Sequence, residues 1–135
     1  MREYKFRGKR LDNGEWVYGF GVWQLDSVNG SPECWMYTPN GIVVVDPATV
    51  GQYTGLQCNV TDEEWYERDI LTPDPHSKRT ENEVICYDRH QGKYKSVPIS
   101  LYLANAGNGG WTGFEIKSYQ KRIGNVIDNP ELLEG

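Results

Sequence analysis

Cys86 and His90 lie four residues apart, and His76 with Cys34 or Cys58 could complete a set of imidazole and thiolate ligands. Zinc takes four such ligands, usually from paired C-x-x-C or H-x-x-x-H units. Neither unit occurs here, and His90 falls in a turn-forming stretch, so no metal site is expected. Nucleophilic catalysis needs a serine or cysteine beside a histidine and an orienting acid. His76 sits in a polar loop with no apolar flanks, and no G-x-S-x-G elbow exists. Asp46, Glu67 and Asp69 could converge as a carboxylate pair, but 19 acids on a small chain produce such pairs by chance. The run Asn105-Ala106-Gly107-Asn108-Gly109-Gly110 lacks the lysine and helix of a phosphate loop. The expectation is a protein with no catalytic residue, cofactor or metal.

Two patterns point to binding instead. The first ten residues hold Arg2, Lys5, Arg7, Lys9 and Arg10 against the single acid Glu3, although the whole chain has a net charge of −5. Lys5, Arg7 and Lys9 alternate with Phe6 and Gly8, which places the cations on one solvated strand face. Cations beside rings suit phosphate contact with base stacking, so nucleic acid is the alternative partner. The plainer reading is an edge strand guarded by charge against aggregation, and a pI near 5.0 disfavours polyanion binding. The second pattern is aromatic. Five tryptophans and nine tyrosines exceed what one small core needs, and such rings anchor protein interfaces. Trp23, Trp35, Trp65 and Trp111 are expected to be partly exposed. Among the aromatics, Trp23 and Trp65 are the preferred contacts, for an unidentified protein partner or a second copy of the chain.

The elements that must carry these residues are strands. Fifteen glycines and seven prolines among 135 residues fit a turn-rich β protein. No apolar run approaches the ~18 residues of a membrane span, and the N-terminus has no signal-like apolar region, which implies the cytosol. Three cysteines without a C-x-x-C pair read as buried thiols. Residues 15–23 alternate as one strand, with Asp12-Asn13-Gly14 before it as a hairpin turn back to 4–10. Cys34–Tyr37 and Ile42–Val45 flank the turn Thr38-Pro39-Asn40-Gly41. The uninterrupted run Ile42-Val43-Val44-Val45 predicts a strand covered on both faces. A short strand follows over 49–56. Thr61-Asp62-Glu63-Glu64 reads as a capping box opening a helix of at most two turns. The stretch from Thr72 to Glu83, with Pro73 and Pro75, reads as a loop or a hinge and as the boundary between lobes. An apolar pattern resumes at 69–71, strands are expected at 84–87, 94–97, 99–103, 111–116 and 123–127, and Asn129-Pro130 caps a terminal helical turn.

Four blocks carry a resemblance. They are Lys5-Phe6-Arg7-Gly8-Lys9-Arg10, Glu15-Trp16-Val17-Tyr18-Gly19, the run from Asp46 to Leu56, and the tail from Ile123 to Leu133. Together they resemble the YopX family of phage and prophage proteins. The resemblance implies a small, mostly β protein encoded in phage or prophage genomes, with no established activity and no site residues to carry over. Arg68 stands where the family's pattern has glycine, which leaves the turn geometry there open, since arginine tolerates positive φ poorly.

The resulting expectation is a mainly β fold of short antiparallel strands in two packed lobes, residues 1–60 and 61–135. The second lobe is a candidate SH3-like barrel, and one or two very short helices complete the fold. The function expected is non-catalytic binding by a phage-encoded accessory protein in the bacterial cytoplasm, through Lys5, Arg7, Lys9, Arg10, Trp23 or Trp65.

Overall fold

The computed structural model describes residues 5–25, 33–105 and 110–134. The chain divides into two compact units, Met1–Tyr53 and Thr54–Gly135.

The first unit is built on two small antiparallel sheets. Strand β1 (Phe6–Lys9) turns through 10–15 into β2 (Trp16–Gly19), in a register that pairs Arg7 with Tyr18 and Lys9 with Trp16. The hairpin closes as its sequence predicts: Arg10 N–H donates to the Glu15 carbonyl, and Glu15 N–H to Asn13 Oδ1. The anticipated single strand over 15–23 is broken at Phe20, whose N–H donates to the Tyr37 carbonyl. Gly19 makes the break possible. A Cβ there would press on the Tyr37 carbonyl oxygen and lie 2.7 Å from Met36 Cγ. The chain therefore leaves the first sheet and enters a second as β3 (Gly21–Leu25), followed by β4 (Glu33–Thr38) and β5 (Gly41–Val45), in the order β3-β4-β5. Cys34, Met36 and Val45 form the buried centre, joined by Phe6, Val17, Val22, Val43 and Val50.

Two expectations fail in this unit. Val43 and Val45 face the core, but Ile42 and Val44 are 58% and 42% exposed, so β5 is covered on one face only. Four consecutive β-branched residues signal strand geometry, not two-sided burial. Strand β1 is also no edge, because Gly51 and Gln52 of β6 (Gly51–Gln57) pair with Arg7 and Phe6 on the side away from β2.

In the second unit β6 continues to Gln57, and a turn over 58–63 leads into β7 (Glu64–Tyr66). The expected helix at Thr61–Glu64 does not form. Asp62 takes φ +57°, and Asp62 N–H donates to the Cys58 carbonyl, closing a tight turn that sends Glu64 directly into a strand. Strands β8 (Asp69–Leu71), β9 (Glu83–Asp88), β10 (Lys93–Pro98) and β11 (Arg122–Asn125) form one antiparallel sheet in the order β10-β9-β8-β11. Both its faces are covered. Leu71 and Ile85 pack with Cys58, Trp65 and Ile116 on one side. Ile70, Val84, Cys86 and Val97 pack with Ile99, Tyr102, Trp111 and Leu132 on the other.

Residues 99–103 are helix, not strand: α1 spans Ile99–Asn105. Ile99 and Tyr102, three apart, face the core while Leu101 and Leu103 are exposed, so the working period is helical although the letters alternate. The expected strand at 111–116 reduces to a single bridge between Phe114 and Ser96. The terminal turn does form, as a 3₁₀ helix over Pro130–Leu133. The stretch read as a hinge lies within the second unit and is tied down. Asp74 accepts from His76 N–H and Tyr119 Oη–H, and Arg79 Nε–H donates to Glu83 at 2.6 Å.

Arg68 occupies the second position of the β7–β8 turn with φ +70°, the conformation that glycine would favour. The turn is kept by its surroundings: Tyr66 N–H donates to Asp69 Oδ2, and Arg68 N–H to the Ile85 carbonyl. Arg68→Gly is expected to be more stable than Arg68→Ala by about 1 kcal/mol, since both lose the side chain and only alanine keeps the left-handed strain. Urea unfolding of the two variants checks this; equal midpoints would remove the strain from the account.

Candidate interaction surface

The basic strand does not present a row of free cations. Arg7 is 3% exposed and its guanidinium lies over the Trp16 ring at 4.7 Å, with Lys9 Nζ at 5.4 Å from the same ring. Lys5 Nζ stands 5.3 Å from the Tyr53 ring centre. The registers explain this, since Lys9 faces Trp16 on β2 and the Tyr53 N–H donates to the Lys5 carbonyl. A solvated cationic face was expected, but the central cation is buried because β1 has strands on both sides. Arg10 is turned aside and chelates Asp12 through Nε and Nη2, at 3.0 and 2.8 Å.

The two anchor tryptophans part company. Trp65 is completely buried among Cys58, Leu71, Ile85 and Ile116, so it is core and no contact residue. Trp111 is half-buried and stacks on Tyr102 at 5.3 Å. Trp23 is 53% exposed. The register of the second sheet places Trp23, Trp35 and Val44 in one row across the three strands, with Tyr37 and Ile42 in the next. Because Met36 and Val45 fill the inner face, this alternate set must point outward. The result is an outer face of rings and aliphatic groups with the exposed Glu33 at one end, bordered by the exposed Leu11, whose N–H donates to the Val44 carbonyl. Trp23 and Trp35 were legible as contact candidates. Ile42 and Val44 were missed because their run reads as buried.

The groups with catalytic potential serve the fold. Cys34, Cys58 and Cys86 are free, buried thiols, as their number and spacing suggest. Burial pushes the Cys86 thiol up to about 12. The exposed His90 gives its backbone N–H to Asp88, and His76 packs edge-on against Tyr119. Among the described residues no three histidines, cysteines or acids are grouped to hold a metal. Asp46 accepts from Ala48 N–H, and Asp69 from Tyr66 N–H and from Arg122. A cavity of about 430 Å³ is lined by Glu81, Asn82, Ile99, Glu131 and Leu132, and another of about 250 Å³ by Leu101, Asn105, Gly110 and Thr112. Neither lining contains a histidine or cysteine, and Glu81 is held by the N–H and hydroxyl of Ser100.

Sequence reasoning missed the strongest electrostatic arrangement. Asp88 is buried and accepts from Lys95 Nζ at 2.7 Å, Trp111 N–H at 3.1 Å and the N–H groups of His90 and Gln91. Lys95 also donates to the Trp111 carbonyl at 2.8 Å. The pairing with Lys95, opposed by desolvation and aided by these amides, holds the Asp88 carboxyl well below the usual carboxylate range.

No curated protein matches the chain. The model of the YopX family, described as "YopX protein", matches residues 5–134, and the chain belongs to that family. Among solved structures it is similar to the crystal structure of protein EF1440 from Enterococcus faecalis. The two share 19% identity and a TM-score of 0.50, over 98% of this chain and 99% of that one. At this identity the likeness shows a shared fold. No helix among the described residues is long and apolar enough to cross a membrane.

A carboxylate whose native pKa is depressed stabilises the fold above its unfolded pKa, and that contribution fades as pH falls through the native value. Stability is therefore expected to fall steadily as pH is lowered beneath the ordinary aspartate range. Asp88→Asn should lower Tm at pH 7 and flatten this acid limb. Thermal unfolding from neutral to acid pH measures it; an unchanged acid limb in Asp88→Asn would assign the dependence to other groups.

Proposed function

We propose that this YopX-family chain is a phage-type accessory protein of the bacterial cytoplasm that acts by binding another protein and performs no catalysis. Family membership supports the phage origin. The observation that carries the binding reading is the outer face of the β3-β4-β5 sheet. Trp23, Ile42 and Val44 stand open to solvent beside Trp35 and Tyr37 on one sheet face, whereas the other exposed aliphatics, such as Leu56, Val60, Leu101, Leu103 and Ile123, lie elsewhere. An exposed apolar patch of this kind marks an interaction site more often than it marks nothing. Interface centres favour tryptophan and tyrosine and exclude charge.

Ile42→Glu and Val44→Glu put a charge on the β5 side of this face without touching the core, so each should shift stability by no more than about 0.5 kcal/mol. Capture from phage-carrying host cells, followed by titration of the identified partner, is expected to show binding weakened at least tenfold, or by ~1.4 kcal/mol. A partner that binds both variants like the wild type would move the site elsewhere.

Nucleic acid is the second reading, because Lys5, Arg7 and Lys9 share a sheet face with Trp16 and Tyr53. Those rings already carry the cations, and the central one is buried, which leaves little surface for phosphate. Electrophoretic mobility of single-stranded and duplex oligonucleotides is expected to be unchanged by micromolar protein in about 50 mM salt. A shift abolished by Lys5→Glu with Lys9→Glu would put this reading first.

A further inference from the structure

We infer that β3 is a self-pairing edge: two copies of the chain join antiparallel along Gly21–Leu25, with Trp23 on the two-fold axis. This rests on reading the outer face of that sheet as a binding surface, and it names a second copy as one partner. Strand β3 is the outermost of the order β3-β4-β5, and among the described residues no strand pairs with its other side. Natural edge strands are guarded by lysine, proline, a bulge or an inward charge. Gly-Val-Trp-Gln-Leu has none of these, and its register with β4 runs without a break. Among the described residues the edge is therefore an unguarded template for another strand.

A second copy fits this edge for three reasons. The strand has five residues with Trp23 at its centre, so antiparallel pairing about a two-fold axis sets Trp23 opposite Trp23 of the second copy, Val22 opposite Gln24 and Gly21 opposite Leu25. The outer row Val44-Trp35-Trp23 then continues without interruption into Trp23-Trp35-Val44 of the second copy, turning two three-stranded sheets into one of six. Cross-strand aromatic pairs are among the more favourable in antiparallel sheets. Charge agrees. Two chains of net charge −5 repel, and β3 is an uncharged place for them to meet. Homodimer contacts are also more apolar than those between transient partners. Five residues and one large ring per copy bury less than the roughly 800 Å² of a standard interface, so the dimer is weak and its population follows concentration.

Charge placed at the axis tests this. Trp23 is more than half exposed, so Trp23→Lys and Trp23→Glu should both fold, which circular dichroism verifies. Sedimentation of the wild type from ~10 μM to ~1 mM is expected to show the mean mass rising toward twice the monomer. Each charged variant alone should stay monomeric, because the substituted residue faces its own like charge. An equimolar mixture of the two should regain association, since lysine then faces glutamate. A wild type that stays monomeric throughout, single variants that still dimerise, or a mixture that fails to recover would each overturn the pairing. If the pairing fails while Ile42→Glu still loses a captured partner, the binding face stands and only self-association falls.

Discussion

The second unit depends on a constraint of solvation: β9 begins and ends with a buried carboxylate, and each must be surrounded by donors. Glu83 is fully buried and takes hydrogen bonds from Ser96 Oγ at 2.6 Å, Arg79 Nε at 2.6 Å and Gln120 Nε2 at 3.0 Å. Asp88, at the other end, takes Lys95, Trp111 N–H and two turn amides. An uncompensated buried charge costs several kcal/mol, whereas a satisfied one fixes where its donors must lie. The donors come from the 72–82 loop, the β9–β10 turn, β10 and the 110–120 segment, of which only β10 has a regular ladder with β9. The two carboxylates thus convert irregular chain into fixed structure. Gln120 extends the effect by donating to the Thr72 carbonyl and accepting Lys117 N–H.

The first unit solves a different problem with rings in place of acids. Arg7 is buried in the middle of a sheet, and Trp16 supplies a polarisable face on which both Arg7 and Lys9 lie. Cation–π contacts gain strength as water is excluded. The arrangement gives the basic strand a structural use. The outer face of the other sheet is instead rich in rings, with the carboxylate of Glu33 at one end.

What was legible in the sequence followed from short-range chemistry. Asp12-Asn13-Gly14 and Thr38-Pro39-Asn40-Gly41 closed the hairpins they predict, because turn geometry is decided by the few residues within it. The mainly β class, the buried thiols and the terminal helical turn follow from equally local signals. The failures are all non-local. Thr61-Asp62-Glu63-Glu64 has the letters of a capping box, yet no apolar helical face follows it to be buried, and the closed turn that leads Trp65 into the core wins. Residues 99–103 alternate like a strand, yet Ile99 and Tyr102 find a core three residues apart. Arg7 reads as a surface cation until β6 pairs on its far side. The register that unites Trp23, Trp35 and Val44 in one row joins residues from three strands, and no spacing within one segment announces it.

Arg68 shows how the two kinds of information meet. A left-handed arginine is unfavourable by its local preference, so the residue type argues against the turn. Two longer-range bonds and one across the turn itself hold the chain there regardless: Arg68 N–H to Ile85, Val126 N–H to the Arg68 carbonyl, and Tyr66 N–H to the buried Asp69 side chain. Their sum exceeds the strain of one residue, since each net hydrogen bond contributes about 1 kcal/mol and leaving a buried partner unpaired costs more. The same logic applies to the family. A fold that ties its turns to neighbouring strands can change the turn residue and survive. Overall geometry can then persist at 19% identity to EF1440.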